Sequence, residues 1–455
     1  MSIENNILSR LGVTGTDHIN ERCRTVIVSA IKDNPLSFAE EYLLQREWHK
    51  IIDGLKLLMV NHHAEKGIIA VSKSDRPVIA DLRDRVEDCG NIDLFFIGDF
   101  YPAADQAILI YEITGQPFSG ATPAALSGSL VYDLQTVINI YEAVTEEKPV
   151  TRRLLTCTGE VALPSLVLGH LGVSFREVIE LCGGAATTTI DEYVIFSGAP
   201  ARGAVITDID TPVTRSTTTI TVLPADHELV KERSRTISTQ IKKIKSVCNQ
   251  CSFCTELCPV YLLGGKLYPH LIMRQIAYGP AEPEEVILGA LLCSECGICE
   301  VFACPHKLSP RAVNKQIKER LKQEAQPESL LSDKINGHIS GHISDKISGH
   351  ISGQLQPRSN RDYRKVPFKR LADLFSVGPY AVPPKMELLE TSPGQVELLF
   401  QEISAAGVLP RVKTGEEIAE GSLVAETKIS TGAGLHTSIS GKVIFLSKER
   451  VIIRR

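Results

Sequence analysis

Two cysteine runs constrain this chain more than any other feature. The first reads Cys248-x2-Cys251-x2-Cys254-x3-Cys258-Pro259, the second Cys293-x2-Cys296-x2-Cys299-x4-Cys304-Pro305. Three closely spaced cysteines wrap three corners of a [4Fe–4S] cubane, and a remote cysteine before proline takes the fourth. In two-cluster ferredoxins that fourth ligand usually serves the other cluster. The expected metal ligands are therefore Cys248, Cys251, Cys254 with Cys304, and Cys293, Cys296, Cys299 with Cys258. Structural zinc is the competing reading, because Cys-x2-Cys pairs also build tetrahedral sites. Zinc commonly uses two spaced pairs, whereas three-plus-one, repeated, with proline after each fourth cysteine, is cluster spacing. The second run holds one residue more than the commonest pattern (Glu300 to Ala303 precede Cys304). That leaves open which cysteine serves which cluster.

With 455 residues the chain exceeds one ordinary core, and length alone predicts roughly three domains. Composition is globular, 43% apolar and 23% charged with net charge −5. No uncharged apolar run is long enough to span a bilayer, and the opening MSIENNILSRLG lacks an apolar signal core. A cytoplasmic location is expected, in keeping with thiols that must stay reduced to hold iron. Slight acidity argues against nucleic-acid binding. Cys23, Cys89, Cys157 and Cys182 lack ligand spacing and read as buried small hydrophobes.

Patterning predicts strands at 25–28, 67–71 and 92–97, alternating with helices over 37–64 and 77–86. Strand–helix alternation of this kind is the grammar of a Rossmann-like parallel sheet. A helix over 134–144 follows. Strands at 151–161, 192–196 and 217–224, with a helix over 174–182 stopped by Gly183-Gly184, suggest a small α+β module similar to a β-grasp. A basic helix over 228–246 leads into the first cysteine run; its lysines read as a solvated face or a docking patch for an acidic electron carrier. Helices over 268–277, 283–292 and 310–323 make the cysteine module mostly helical. From about 325 to 362 the core pattern lapses, and Gly-His-Ile-Ser recurs at 337, 341 and 349. His338, His342 and His350 have no Cys or carboxylate companions at fixed spacing, so the stretch reads as a linker. Short strands between glycine turns over 385–455 predict a small β-module of lipoyl type. Lys428 is the nearest candidate carrier lysine, but no Asp-Lys pattern flanks it, and the module reads as structural.

With these pieces in order, the chain resembles the family of the C subunit of the Rnf electron-transport complex, and within it most resembles the cobalamin reductases of propanediol-utilisation microcompartments. The residues that carry the likeness are Asp99-Phe-Tyr-Pro-Ala-Ala-Asp105 with Tyr111-Glu-Ile-Thr114, Thr156-Cys-Thr-Gly-Glu-Val161, Cys258 to Gly264 with Pro269-His270, Cys299 to Pro310, and Gly434 to Gly441. The resemblance implies a multidomain α/β plus α+β chain with five parts. They are a complex I flavin-subunit-like Rossmann domain (1–125), a β-grasp soluble-ligand-binding (SLBB-like) module (126–227), a dicluster ferredoxin module (228–324), a linker (325–384) and a barrel-sandwich hybrid (385–455). It also implies NADH oxidation through FMN, with electrons leaving by the clusters to a corrinoid. Its implied partners are a redox protein or corrinoid enzyme and a microcompartment shell protein, and its implied location the inside of a bacterial microcompartment.

The sequence departs from that family where the flavin phosphate would sit. The family has a glycine-rich loop whose backbone N–H groups approach the phosphates closely. Here the stretch is Leu11-Gly-Val-Thr-Gly-Thr-Asp-His-Ile-Asn20, with only Gly12 and Gly15, and the following turn Ser29-Ala-Ile-Lys-Asp-Asn-Pro35 keeps its proline but loses both family acids. The reading favoured by the residues is an electron-transfer protein relaying single electrons through two [4Fe–4S] clusters. The alternatives are an NADH-oxidising FMN enzyme and a non-redox scaffold stapled by metal.

Overall fold

The computed structural model describes residues 5–15, 18–75, 79–117, 127–185, 193–279, 283–324, 355–403, 407–427 and 433–455. The chain divides into two compact units, one from residues 1–99, 128–230 and 376–455, the other from 100–127 and 231–375.

The first unit begins with a short helix, α1 (Asn5–Arg10), and a parallel sheet. Its strands are β1 (Thr25–Ser29), β2 (Lys66–Ser72), β3 (Ile92–Ile97) and β5 (Ser129–Asp133), in the order β3-β2-β1-β5; β4 (Phe100–Tyr101) belongs to the second unit. Val26, Ile27 and Val28 are fully buried, as a central parallel strand covered on both faces requires. The helix expected over 37–64 is two, α2 (Ala39–Arg46) and α3 (Trp48–His62), parted at Glu47. The apolar period runs on through Glu47, and neither glycine nor proline stands at the break. Helix α3 lies so close to α6 (Leu134–Thr145) that a Cβ on Gly54 would stand 2.7 Å from the Val137 carbonyl oxygen. Helix α4 (Ala80–Glu87) covers β3, whereas α5 (Gln106–Thr114) lies in the second unit. Because β5 pairs in register with β1, residues 129–133 belong to this first sheet, and the boundary expected at 126 falls too early. Cys23 is buried as expected, but Cys89 is only half-buried, its thiol donating to the Arg85 carbonyl at 3.3 Å.

A six-stranded mixed sheet follows, ordered β12-β7-β6-β10-β8-β9. Its strands are β6 (Arg152–Gly159), β7 (Ser165–His170), β8 (Tyr193–Ser197), β9 (Ala204–Ile206), β10 (Thr219–Pro224) and β12 (Lys385–Glu390). Strand β6 stops at Gly159, whose φ is +96° and where an added Cβ would stand 2.0 Å from the Val222 carbonyl oxygen, so no side chain is admitted. Helix α7 (Phe175–Leu181), capped by Ser174, packs Phe175, Val178 and Ile179 with Cys157 and Cys182 into the core. Strand β12 pairs parallel with β7, so the module expected to begin at 385 gives its first strand to this sheet.

The remaining strands of this unit form two small sheets. One is β13 (Gln395–Leu399), β19 (Arg450–Arg454), β18 (Gly441–Leu446) and β15 (Glu417–Ile418); the other is β14 (Val408–Pro410), β16 (Leu423–Thr427) and β17 (Leu435–His436). Lys428 lies outside the described residues. His436 is buried on β17, and its Nδ1 has no hydrogen-bond partner among the described residues. Burial, and then the Arg215 guanidinium, push its pKa down to about 4. An unfolded histidine titrates near 6.5, so falling pH protonates the unfolded chain first. This contribution is intact above about pH 6.5 and is lost toward pH 4, roughly 2 kcal/mol of it by pH 5. Urea unfolding followed through Trp48, the only tryptophan and part of the same unit, measures it. His436→Gln should be less sensitive than the parent between pH 7 and 5, and equal slopes would refute the assignment.

The second unit is mostly helical. The helix expected over 228–246 is again two, α8 (Glu228–Arg233), whose last residues enter this unit, and α9 (Ile237–Val247). Thr236 starts the second, its hydroxyl accepting from the Thr239 N–H. Then come α10 (Phe253–Glu256), α11 (Pro259–Leu262), α12 (Pro269–Tyr278), α13 (Glu284–Leu288), α14 (Ile298–Val301) and α15 (Pro310–Glu324). The Gly-His-Ile-Ser repeats, with His338, His342 and His350, lie outside the described residues. Of the expected linker, residues 355–384 are described, and they are structured. Strand β11 (Val366–Pro367) pairs antiparallel with β4, and Arg361 is buried against Glu112, which also binds Lys365 at 2.9 Å. A run rich in Arg and Lys has no apolar period, yet its guanidinium found a half-buried carboxylate.

Candidate metal centres

The two cysteine runs share one backbone design. Cys248 ends α9, its N–H bonded to the Ile244 carbonyl, and Cys293 follows a 3-10 turn at Gly289–Leu292. Left-handed residues recur two and four positions after each first cysteine: Gln250 and Ser252 in one run, Glu295 and Gly297 in the other. Such backbone costs a non-glycine residue about 1 kcal/mol or more. It coils each run so that successive thiols face one centre, and strain of this kind collects at functional sites. Cys258 then begins α11, where Pro259 supplies a preset first helical turn.

The thiols gather across the runs. Cys248, Cys251, Cys254 and Cys304 line one hollow of about 360 Å³, including space open to solvent, together with His270 and Met273. Cys258, Cys293, Cys296 and Cys299 line a second of about 300 Å³, with Arg311 and Asn314. All eight are free thiols. Burial, and then the neighbouring Cys304, Cys251 and Cys248, push the Cys254 pKa up to about 12; burial likewise raises Cys258, Cys293 and Cys299. A metal taken up here must displace protons. Four thiols around each hollow are also the number of cysteine ligands that one cubane takes. Four thiols spread around each hollow fit a cage with a ligand at every corner.

Donors surround the sulfurs. Gln250 Nε2 lies 3.2 Å from Cys248 Sγ, the Leu308 N–H 3.4 Å from Cys304 Sγ and the Glu295 N–H 3.4 Å from Cys293 Sγ. Asn314 Nδ2 stands 3.8 Å from Cys293 Sγ, and Lys318 Nζ donates to the Cys293 carbonyl at 2.7 Å. Such N–H···S contacts favour the more negative, reduced state of a cluster. Glu300, the first residue of the lengthened spacing, is buried and accepts from Arg233 at 2.5 Å and Arg311 at 2.9 Å. Two supports went unassigned in the sequence. The Tyr101 hydroxyl donates to the Cys296 carbonyl at 2.6 Å, giving the Phe-Tyr-Pro motif a role beside the second run. His270 meets Thr255 through both its N–H and its ring, tying α12 to α10 at the first hollow. Only a tyrosine and a histidine beside prolines marked them.

Residues 11–15 of the flavin loop do not fit a phosphate. The N–H groups of Leu11, Gly12 and Val13 are spent on the carbonyls of Ile7, Ser9 and Leu8. A Cβ on Gly12 would stand 2.7 Å from the Gly434 carbonyl oxygen and 2.8 Å from Arg215 Nη2, and one on Gly15 would stand 3.2 Å from Thr136 Oγ1. Protein therefore fills the space on the Cβ side of Gly12. At the carboxyl ends of the parallel strands, where such sheets bind ligands, polar groups engage one another: Lys32 with Glu41 at 2.9 Å, Asn34 with Thr219 at 3.1 Å, Ser74 with Asp99 at 3.2 Å.

Comparison with known proteins supplies the context. A family model described as the Nuo51 FMN-binding domain matches residues 13–142, and one described as a 4Fe-4S dicluster domain matches residues 247–309. Fold and site together define an iron–sulfur electron-transfer protein that carries a flavin-subunit-type domain. The chain is 33% identical to cobalamin reductase PduS of Salmonella typhimurium, over 94% of this chain and 89% of that one, and 32% identical to its counterpart in Citrobacter freundii, over 95% and 90%. It belongs to the cobalamin reductase PduS family. Likeness to the C subunit of the Na(+)-translocating ferredoxin:NAD(+) oxidoreductase complex of Acetobacterium woodii is 30% over 52% of this chain and 50% of that one. Among the described residues no helix is long and apolar enough to cross a membrane.

Proposed function

We propose that this chain relays single electrons through two [4Fe–4S] clusters to a corrinoid or another redox partner. Cys248, Cys251, Cys254 and Cys304 would hold one cluster, and Cys258, Cys293, Cys296 and Cys299 the other. The observation that carries the reading is the crossed gathering of eight free thiols around two hollows. Bound there, each cluster supplies a one-electron carrier. The residues around it set its potential through N–H···S contacts and buried charge. The cobalamin reductase relatives support a corrinoid as the acceptor; a microcompartment setting with a shell protein as neighbour follows from the family resemblance alone. We read the six-stranded sheet as the SLBB-like β-grasp and strands β13 to β19 as the barrel-sandwich hybrid, with the cysteine module between them in the chain.

The Nuo51 match favours a second reading, an NADH-oxidising FMN enzyme, and the spent glycine turn opposes it. Anaerobically purified protein separates the two. The relay predicts iron and sulfide equal to two cubanes per chain, two overlapping paramagnetic signals on reduction, and little released flavin. Stoichiometric FMN with bleaching by NADH would establish the enzyme instead. Zinc in place of iron would end both.

A further inference from the structure

We infer that the rim of the first hollow is a docking face for a reduced, acidic one-electron carrier protein of flavodoxin or ferredoxin type, which feeds electrons into this chain; the inference rests on the cluster reading above. In the transfer the carrier loses one electron and the centre held by Cys248, Cys251, Cys254 and Cys304 gains it, with no bond made or broken. Three observations converge on this rim.

The first is access. The thiols of the second hollow are all buried, whereas Cys248, Cys251, Cys254 and Cys304 are each half-buried. Among the described residues, the thiols of the first hollow are thus the more accessible of the two sets.

The second is apolar surface. Phe253, between Cys251 and Cys254, is 46% exposed, and Val247, immediately before Cys248, is 39% exposed. Large exposed apolar side chains beside a redox centre mark a contact surface, and an aromatic within a polar rim is the usual anchor of one.

The third is charge. Lys242, Lys245 and Lys307 are exposed, and Lys243 Nζ donates to the Lys307 carbonyl at 3.0 Å, fastening α9 to the turn after Cys304. Residues 231–324 hold 14 Lys and Arg against 9 Glu and no Asp, in a chain of net charge −5. Of the acids near the rim, Glu256 is engaged by Ser252 at 2.7 Å and by Arg364 at 3.6 Å, and Glu232 faces Lys243. A basic rim around an apolar spot complements an acidic carrier and steers its approach. A carrier docked here also gives electrons a way in that does not need the spent glycine turn.

Stopped-flow mixing of the cluster-loaded protein with photoreduced flavodoxin tests the inference. The second-order rate should fall at least about tenfold from low to roughly 0.5 M salt. At low salt, Lys245→Glu with Lys307→Glu should cost a similar factor. Phe253→Ala should slow the reaction while leaving the salt slope unchanged. Reduced methyl viologen, a small cation, should bleach parent and variants alike. Equal flavodoxin rates for parent and charge-reversed protein, with normal viologen bleaching, would overturn the docking face and leave the clusters standing. Failure of viologen to bleach the parent would remove the clusters and this inference together.

Discussion

Cys304→Ala should extinguish the same paramagnetic signal as Cys251→Ala, although the two residues lie in different runs. Both thiols line the first hollow with Cys248 and Cys254. Removing either leaves three ligands at one centre and four at the other. The iron content of each variant should fall to about half, and the surviving signal should be identical in the two. Cys296→Ala should leave the complementary signal, since Cys296 lines the other hollow with Cys258, Cys293 and Cys299. The first unit contains none of these cysteines, so its unfolding, followed through Trp48, should keep its urea midpoint. Were Cys304→Ala to erase the signal that Cys296→Ala erases, each run would hold its own fourth ligand and the crossed arrangement would be wrong. Unfolding of the Trp48 unit in either variant would remove the modular architecture.

Cysteine chemistry was legible in the sequence because ligand spacing is local: three thiols within seven residues, and Cys-Pro at the end, are visible without knowing the fold. The parallel sheet was legible for a similar reason, since uninterrupted runs such as Val26-Ile-Val28 are buried on both faces. What escaped was set by contacts distant in sequence. Strand β5 is five residues long and declares its sheet only by pairing with β1, about a hundred residues earlier. Strand β12 reaches back to β7 across the cysteine module. Residues 361–367 looked like linker because an Arg–Glu pair has no hydrophobic period, and Arg361 meets Glu112 only in three dimensions. Tyr101 lies nearly two hundred residues before the cysteine carbonyl it supports. The sparse glycines of the flavin loop were visible, but not that Gly12 packs on Arg215 and Gly434.

Glu300→Gln should weaken the second unit more than any surface change, and it should do so at the residue that made the second run unusual. The carboxylate is 6% exposed and lies between Arg233 and Arg311, themselves largely buried. Glutamine keeps the shape but removes the charge, leaving two guanidiniums in a poorly hydrated site without a counter-ion. Breaking a buried pair in this way costs about 3–5 kcal/mol, mostly because the partner charge is stranded. A leucine at the same position should cost more, since it also removes both hydrogen bonds. Arg311 lines the hollow of Cys258, Cys293, Cys296 and Cys299. Its unneutralised charge should therefore stabilise the reduced centre and move that midpoint upward, while the centre at the first hollow changes little. Loss of visible absorbance on heating reads the stability, and potentiometric titration followed by paramagnetic resonance reads the potential. A stability loss with both midpoints unmoved would make the triad purely structural. An unchanged melting profile would show that the lengthened spacing before Cys304 is accommodated without Glu300, and that the two arginines find other partners.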